Sequence, residues 1–229
     1  MREIHDHFFK QAKAEGYRSR AAYKLVEIDD RKRLLRRGDW VVDAGCAPGS
    51  WLQVAAARVG PQGRVVGLDL KECSPRGLPE GVRLVQADLN DATLDQLLGP
   101  WEAQRAAAGR AGRPPFDAIL SDIGPDTTGD PSGDSVRSIR LCHVLLDRAA
   151  EWLRPGGNLA MKVYEGGDYP ELLRRARTLF EDAKGYKPEA SRSESVEIYL
   201  IGKGWRRKAE PAPDGPQAPA RTRSRGWGT

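Results

Sequence analysis

Apolar residues along the chain occur in two patterns, short continuous or β-branched runs and longer stretches in which they recur every three or four positions. After residue 38 the two alternate regularly. "DWVVDA" (39–44), "RVVGLDL" (64–70), "VRLVQADL" (82–89), "FDAILSD" (116–122), "GNLAMKVY" (157–164) and "SVEIYLIGKG" (195–204) predict strands. Between them "SWLQVAAARV" (50–59), "TLDQLLGPWEAQRAAAG" (93–109, broken at Gly99 and Pro100), "SVRSIRLCHVLLDRAAEWL" (135–153) and "YPELLRRARTLFEDA" (169–183) predict helices. This alternation implies an α/β fold, with a mostly parallel central sheet and helices on both faces.

The pattern places one domain at 38–204, of ordinary size for 229 residues. Residues 1–37 read as a basic N-terminal helical extension whose charge would suit RNA binding. Residues 205–229 form a Pro/Ala/Arg-rich tail with no apolar period, which the composition predicts to be disordered. No apolar run approaches the length that crosses a bilayer, and the charged N-terminus has no signal-peptide core, so the expectation is a cytoplasmic protein away from membranes. A monomer is expected.

Three cysteines, Cys46, Cys73 and Cys142, are too few and too scattered for a disulfide framework or a C-x-x-C metal knuckle. The histidines, His5, His7 and His143, match no metal-ligand spacing. The net charge of +5 is modest, but its distribution is not. Lys10, Lys13, Arg18, Arg20, Lys32, Arg33, Arg36 and Arg37 crowd the first 37 residues beside Tyr17 and Tyr23. Such a set either tracks a phosphate backbone or forms a solvated helix face.

Candidate chemistry begins at "VVDAGCAPGSW" (41–51), a glycine-rich turn from strand to helix. Such a turn lets the backbone approach a ligand closely. The G-x-G-x-x-G spacing of dinucleotide folds is missing, Pro48 removes a donor, and no G-K-[ST] follows. The ligand is therefore nucleoside-like but not phosphate-rich. Asp43, Asp69 and Asp88 close three successive predicted strands. Asp69 is placed to accept from ribose hydroxyls and Asp88 from an adenine amino group. With Trp51 nearby, this points to S-adenosylmethionine.

Five segments, "GYRSRAAYKL", "VDAGCAPGSW", "SDIGPDTTGD", "MKVYEGGD" and "SRSESVEIYLIGKG", resemble in order the FtsJ-type RNA 2′-O-ribose methyltransferases, over roughly residues 6–204. The resemblance implies a Rossmann-like methyltransferase fold that takes S-adenosylmethionine, with Gly49, Trp51, Asp69, Asp88 and Asp122 as cofactor contacts. It implies that Lys24, Asp122, Lys162 and Glu197 form the family's K-D-K-E catalytic tetrad. The implied substrate is a ribose 2′-hydroxyl, that of a uridine in 23S rRNA of the large ribosomal subunit or its precursor. The sequence departs from the family pattern at Gly124-Pro125-Asp126 and over 99–115, both on the substrate side.

A ribose hydroxyl is a very weak acid, so its methylation calls for a base within hydrogen-bond reach. A lysine serves when desolvation and a neighbouring cation disfavour its charged form. Lys162, at the end of an apolar strand with Lys24 as its partner, is the expected base, with Asp122 and Glu197 balancing charge. No metal is expected, because a thioether leaves uncharged. Two other readings stay open: a tRNA-directed member of the same family, and a non-catalytic RNA-binding protein on the same fold.

Overall fold

A computed structural model describes residues 10–107, 109, 114–191 and 195–206. His5, His7 and the tail beyond residue 206 lie outside the described residues. The strands are β1 (Trp40–Ala44), β2 (Arg64–Asp69), β3 (Val82–Gln86), β4 (Phe116–Ser121), β5 (Leu153–Tyr164), β6 (Phe180–Tyr186) and β7 (Glu197–Trp205). The helices are α1 (Ala21–Lys32), α2 (Ser50–Val59), α3 (Leu94–Leu98), α4 (Trp101–Ala107), α5 (Pro131–Trp152) and α6 (Tyr169–Leu179).

The seven strands form one sheet in the order β3-β2-β1-β4-β5-β7-β6. Pairing is parallel from β3 through β5 and antiparallel for β5–β7 and β7–β6. All five residues of β1 are buried, as a strand covered on both faces requires. The chain winds outward through β1, β2 and β3, then returns to the other flank of β1 as β4. That reversal opens a crevice at the carboxyl ends of β1 and β4, where ligands of such sheets bind.

Alternation along the strands divides the core in two. Val42, Val66, Ile119 and Met161 pack with α5 and α6 on one face, whereas Val41, Val65, Leu120, Ala160 and Tyr199 pack with α1 and α2 on the other. Because side chains alternate, Lys162 lies on the same face as Ala160, and Glu197 on the same face as Tyr199. Lys162 and Glu197 thus share the face covered by α1 and α2, beyond its apolar stretch.

The structure departs from the predicted pattern in four places. The helix predicted over 169–183 ends at Leu179, and Phe180–Tyr186 pairs with β7 as an edge strand. Burial of Phe180 against Trp205, with ring centroids 5.1 Å apart, wins over a spacing that suits either element. The strand predicted over 82–89 stops at Gln86, so Asp88 sits in the turn beyond it. The helix predicted from 135 begins at Pro131, where the Asp130 side chain accepts from the Ser132 N–H and proline occupies the first turn. Finally, the expected extension is not separate from the domain. Ala22, Leu25 and Ile28 of α1 and Leu34 beyond it are fully buried and build one face of the core.

Candidate active site

The turn from β1 to α2 is shaped by close contacts on both sides. Gly45 has φ +77°, and a Cβ there would lie 2.1 Å from Ile123 Cγ1, so only glycine fits beneath the loop that follows β4. The Gly45 and Cys46 N–H groups donate to the Leu68 carbonyl, and the Ala47 N–H donates to Asp69 Oδ2 at 2.8 Å. Asp69 Oδ1 accepts from the Lys71 N–H, also at 2.8 Å. Asp69 therefore ties the glycine turn to the end of β2, and each of its oxygens keeps a lone pair for a ligand.

A cavity of about 360 Å³ opens at this point. Gly45, Ala47, Asp69 and Asp88 line one side of it, Asp122 and Gly124 the other. Its volume falls in the range of small-molecule sites. Asp88 Oδ1 accepts from the Asn90 backbone and side-chain amides, both at 2.8 Å, and these bonds hold its carboxyl below the usual range. Asp43 lies fully buried below the cavity, with no hydrogen-bond partner for either oxygen among the described residues. Burial, and then the Asp122 and Asp69 carboxylates, push its carboxyl well above the usual range.

Across Asp122 from the cavity stands a second cluster. Glu197 Oε2 is 2.9 Å from Lys24 Nζ and its Oε1 is 3.9 Å from Lys162 Nζ. Lys162 Nζ is in turn 3.4 Å from Asp122 Oδ1. Three elements bring these groups together: Lys24 from the buried side of α1, Lys162 from β5 and Glu197 from β7, with Asp122 just beyond β4. Burial would raise the Glu197 carboxyl, but the Lys24 and Lys162 ammonium groups and the hydrogen bonds from Lys24 and Ser195 outweigh it and hold it below its usual value. Glu197 thus stands between the two amines and contacts both.

The chain matches the FtsJ-like methyltransferase model over residues 17–205, which is most of its length. It belongs to the FtsJ-like methyltransferase family. It is 44% identical over 199 residues to a protein from Syntrophobacter fumaroxidans named "Ribosomal RNA large subunit methyltransferase E", covering 87% of this chain and 95% of that protein. A protein of the same name from Azoarcus sp. is also 44% identical over 199 residues, covering 87% of this chain and 91% of that one. Among solved structures, one described as a ribosomal RNA methyltransferase from Plasmodium falciparum superposes with a TM-score of 0.67 at 27% identity, covering 82% of this chain and 98% of that one.

Of the residues expected to touch the cofactor of this FtsJ-like methyltransferase, Asp69, Asp88 and Asp122 line the cavity and two others do not. Trp51 is buried, its ring stacked on Tyr199 at 5.7 Å between centroids and its Nε1–H donating to the Ala21 carbonyl at 2.9 Å. It props α1 against β7 instead of facing the cavity. Gly49 precedes α2 with φ +109°, and a Cβ there would lie 2.5 Å from Arg18 Nη1. Its missing side chain makes room for Arg18, which donates to the Pro48 carbonyl at 2.8 Å. All four tetrad residues, by contrast, converge.

Two tyrosines escaped the sequence reading. Tyr199 Oη donates to Asp122 Oδ1 at 2.6 Å, and Tyr164 stands on β5 two positions beyond Lys162, which lies 5.9 Å from its ring centroid. The signal was the alternation K-V-Y and E-I-Y, which puts each tyrosine on the face of its charged neighbour. Burial, and then Asp122, push the Tyr199 hydroxyl well above its usual range, so it keeps the proton that it donates to Asp122.

The basic set of the first 37 residues divides between opposite ends of the molecule. Lys10, Lys13, Arg18 and Arg20 precede α1, near the carboxyl ends of the strands, where Ser19 Oγ bonds Ser50 Oγ at 2.9 Å. Lys32 ends it, and Arg33, Arg36 and Arg37 follow, beside the amino end of β1. Tyr17 and Tyr23 pack edge to face on each other, with centroids 5.6 Å apart. Among the described residues no helix is long and apolar enough to cross a membrane.

Proposed function

We propose that this FtsJ-like methyltransferase moves a methyl group from S-adenosylmethionine to a ribose 2′-hydroxyl of large-subunit ribosomal RNA, that of a uridine. The observation that carries the reading is the position of Asp122, which lines the cavity and also pairs with Lys162. A nucleoside-sized site thus adjoins a group able to take a proton. The names of the relatives supply the substrate class.

Asp69 would hold the cofactor ribose and Asp88 the adenine amino group, with Gly45 and Ala47 forming the floor. When bound, S-adenosylmethionine supplies an electrophilic methyl carbon on a sulfonium. The chain must then align the hydroxyl and remove its proton. Lys162, as the neutral amine, would take that proton at Nζ. Lys24 stays paired with Glu197, and Asp122 receives the new ammonium. Tyr199, by donating to Asp122 Oδ1, fixes the carboxylate in both roles. Lys10, Lys13 and Arg20 lie at the same end of the fold and would meet the RNA backbone around the target.

Mapping 2′-O-methyl groups in ribosomal RNA from cells with and without the gene tests the proposal. The reading expects one large-subunit ribose methylation to vanish with the gene and return with the wild-type copy only. A full methylation map in its absence, or a loss confined to tRNA, counts against it.

A further inference from the structure

We infer that the FtsJ-like methyltransferase carries a second RNA-contact surface at the end of the sheet opposite the tetrad, built from the loop after α1 and the end of β7, which binds the phosphate backbone of a folded RNA. The inference rests on the reading of RNA as substrate. Lys203 Nζ donates to the Lys32 carbonyl at 2.9 Å, which brings the end of β7 against the end of α1. Asn158 Nδ2 donates to the Leu34 carbonyl at 2.8 Å and anchors the loop after α1 on β5. Lys32, Arg33, Arg36, Arg37, Lys203 and Arg206 therefore gather on one end of the fold, and Arg33, Arg36, Arg37 and Arg206 are exposed or nearly so.

Of the carboxylates at this end, Glu181 lies against Gly204 and the others are engaged. Asp29 and Asp30 pair with Arg58, Asp117 pairs with Arg154, and Asp182 pairs with Lys184. Asp39 accepts the Arg36 backbone N–H. Arg33 and Arg206 have no carboxylate within ion-pair distance among the described residues. In sequence, Arg206 is followed by Arg207 and Lys208. A cluster of exposed guanidinium groups in excess of its counter-charges suits a polyanion, and arginine forks suit phosphate oxygens.

The distance decides what kind of RNA this is. Glu197 and Lys203 are six residues apart on β7, which at the rise of a strand puts the cluster about 20 Å from the tetrad. The target nucleotide cannot reach it. An RNA that fills both places must extend at least that far along the protein, as a folded large-subunit transcript does.

The test joins Arg33→Gln, Arg36→Gln and Arg206→Gln in one variant and compares it with the wild type on a large-subunit rRNA transcript. Binding is followed across a range of salt concentrations, with the single-turnover methylation rate at saturating transcript as a second readout. The inference expects weaker binding at low salt and a log–log salt slope smaller by about 2–3, as the loss of roughly three phosphate contacts requires. The saturated rate should be unchanged, and the matching triple lysine variant should retain most of the slope. An unchanged affinity and slope in the glutamine variant overturns the inference while leaving RNA as substrate. A wild-type protein whose own binding shows no salt dependence overturns the RNA reading and the inference with it.

Discussion

Tyr199 Oη lies 2.6 Å from Asp122 Oδ1, so a fully buried hydroxyl on β7 holds the carboxylate that the cavity and the lysine cluster share. The same ring stacks on Trp51, which is bonded through Nε1 to α1. Position thus passes from α1 and α2, through two aromatic rings, to the acid beside Lys162.

Tyr199→Phe should accordingly destabilise the fold by roughly 1.5–3 kcal/mol, the scale for a hydrogen bond to a charged group. It should also slow methyl transfer without weakening RNA binding. Denaturant midpoints and single-turnover rates check both parts. A variant as stable and as fast as the wild type would show that Lys162 alone suffices to hold Asp122.

Asp69→Ala should weaken S-adenosylmethionine binding by roughly 1.5–3 kcal/mol, because a charge-assisted ribose contact is lost together with the tie to the Ala47 N–H. Asp88→Asn should cost less, since an amide oxygen still accepts. Calorimetry of both variants checks the order. Equal losses would point to a shared fold defect instead.

Asp39, at the amino end of the sheet, offers a pH test away from the catalytic end. Burial, followed by the Asp117 carboxylate, raises its carboxyl to about 6 from 3.8, against the opposing pull of Arg36 and Arg154. The folded state therefore holds this proton more tightly than the unfolded chain. Its stabilising effect is complete below about 3.8 and is lost as the pH rises through about 6. Asp39→Asn should thus gain stability relative to the wild type between those values, on the order of 1 kcal/mol after discounting for its partial exposure. Melting temperatures across that window measure it, and a pH-independent difference would remove Asp39 as the cause.

How much of this was legible beforehand depended on the range of each contact. The strand and helix runs are local, so the alternation from β1 to β5 could be read directly. Phe180–Tyr186 could not, because its place as an edge strand is set by Trp205, far along the chain. Lys24 and Glu197 lie 173 residues apart, so nothing short of the family resemblance paired them. Trp51 and Gly49 look like ligand residues from their place in the turn. In the structure the first stacks on Tyr199 and the second lies against Arg18, contacts that no local pattern announces.

The account depends most on Lys162 as the group that takes the proton, and Lys162→Arg is its sharpest test. Arginine keeps the charge and much of the reach toward Asp122 and Glu197 but cannot give up a proton near neutral pH. The measurement is the single-turnover methylation rate with cofactor and large-subunit RNA both saturating. A fall of about 10²-fold or more, with both ligands still bound, is the predicted result. Near-normal transfer by the arginine variant would contradict it and leave Lys162 as a cation that only orients the substrate.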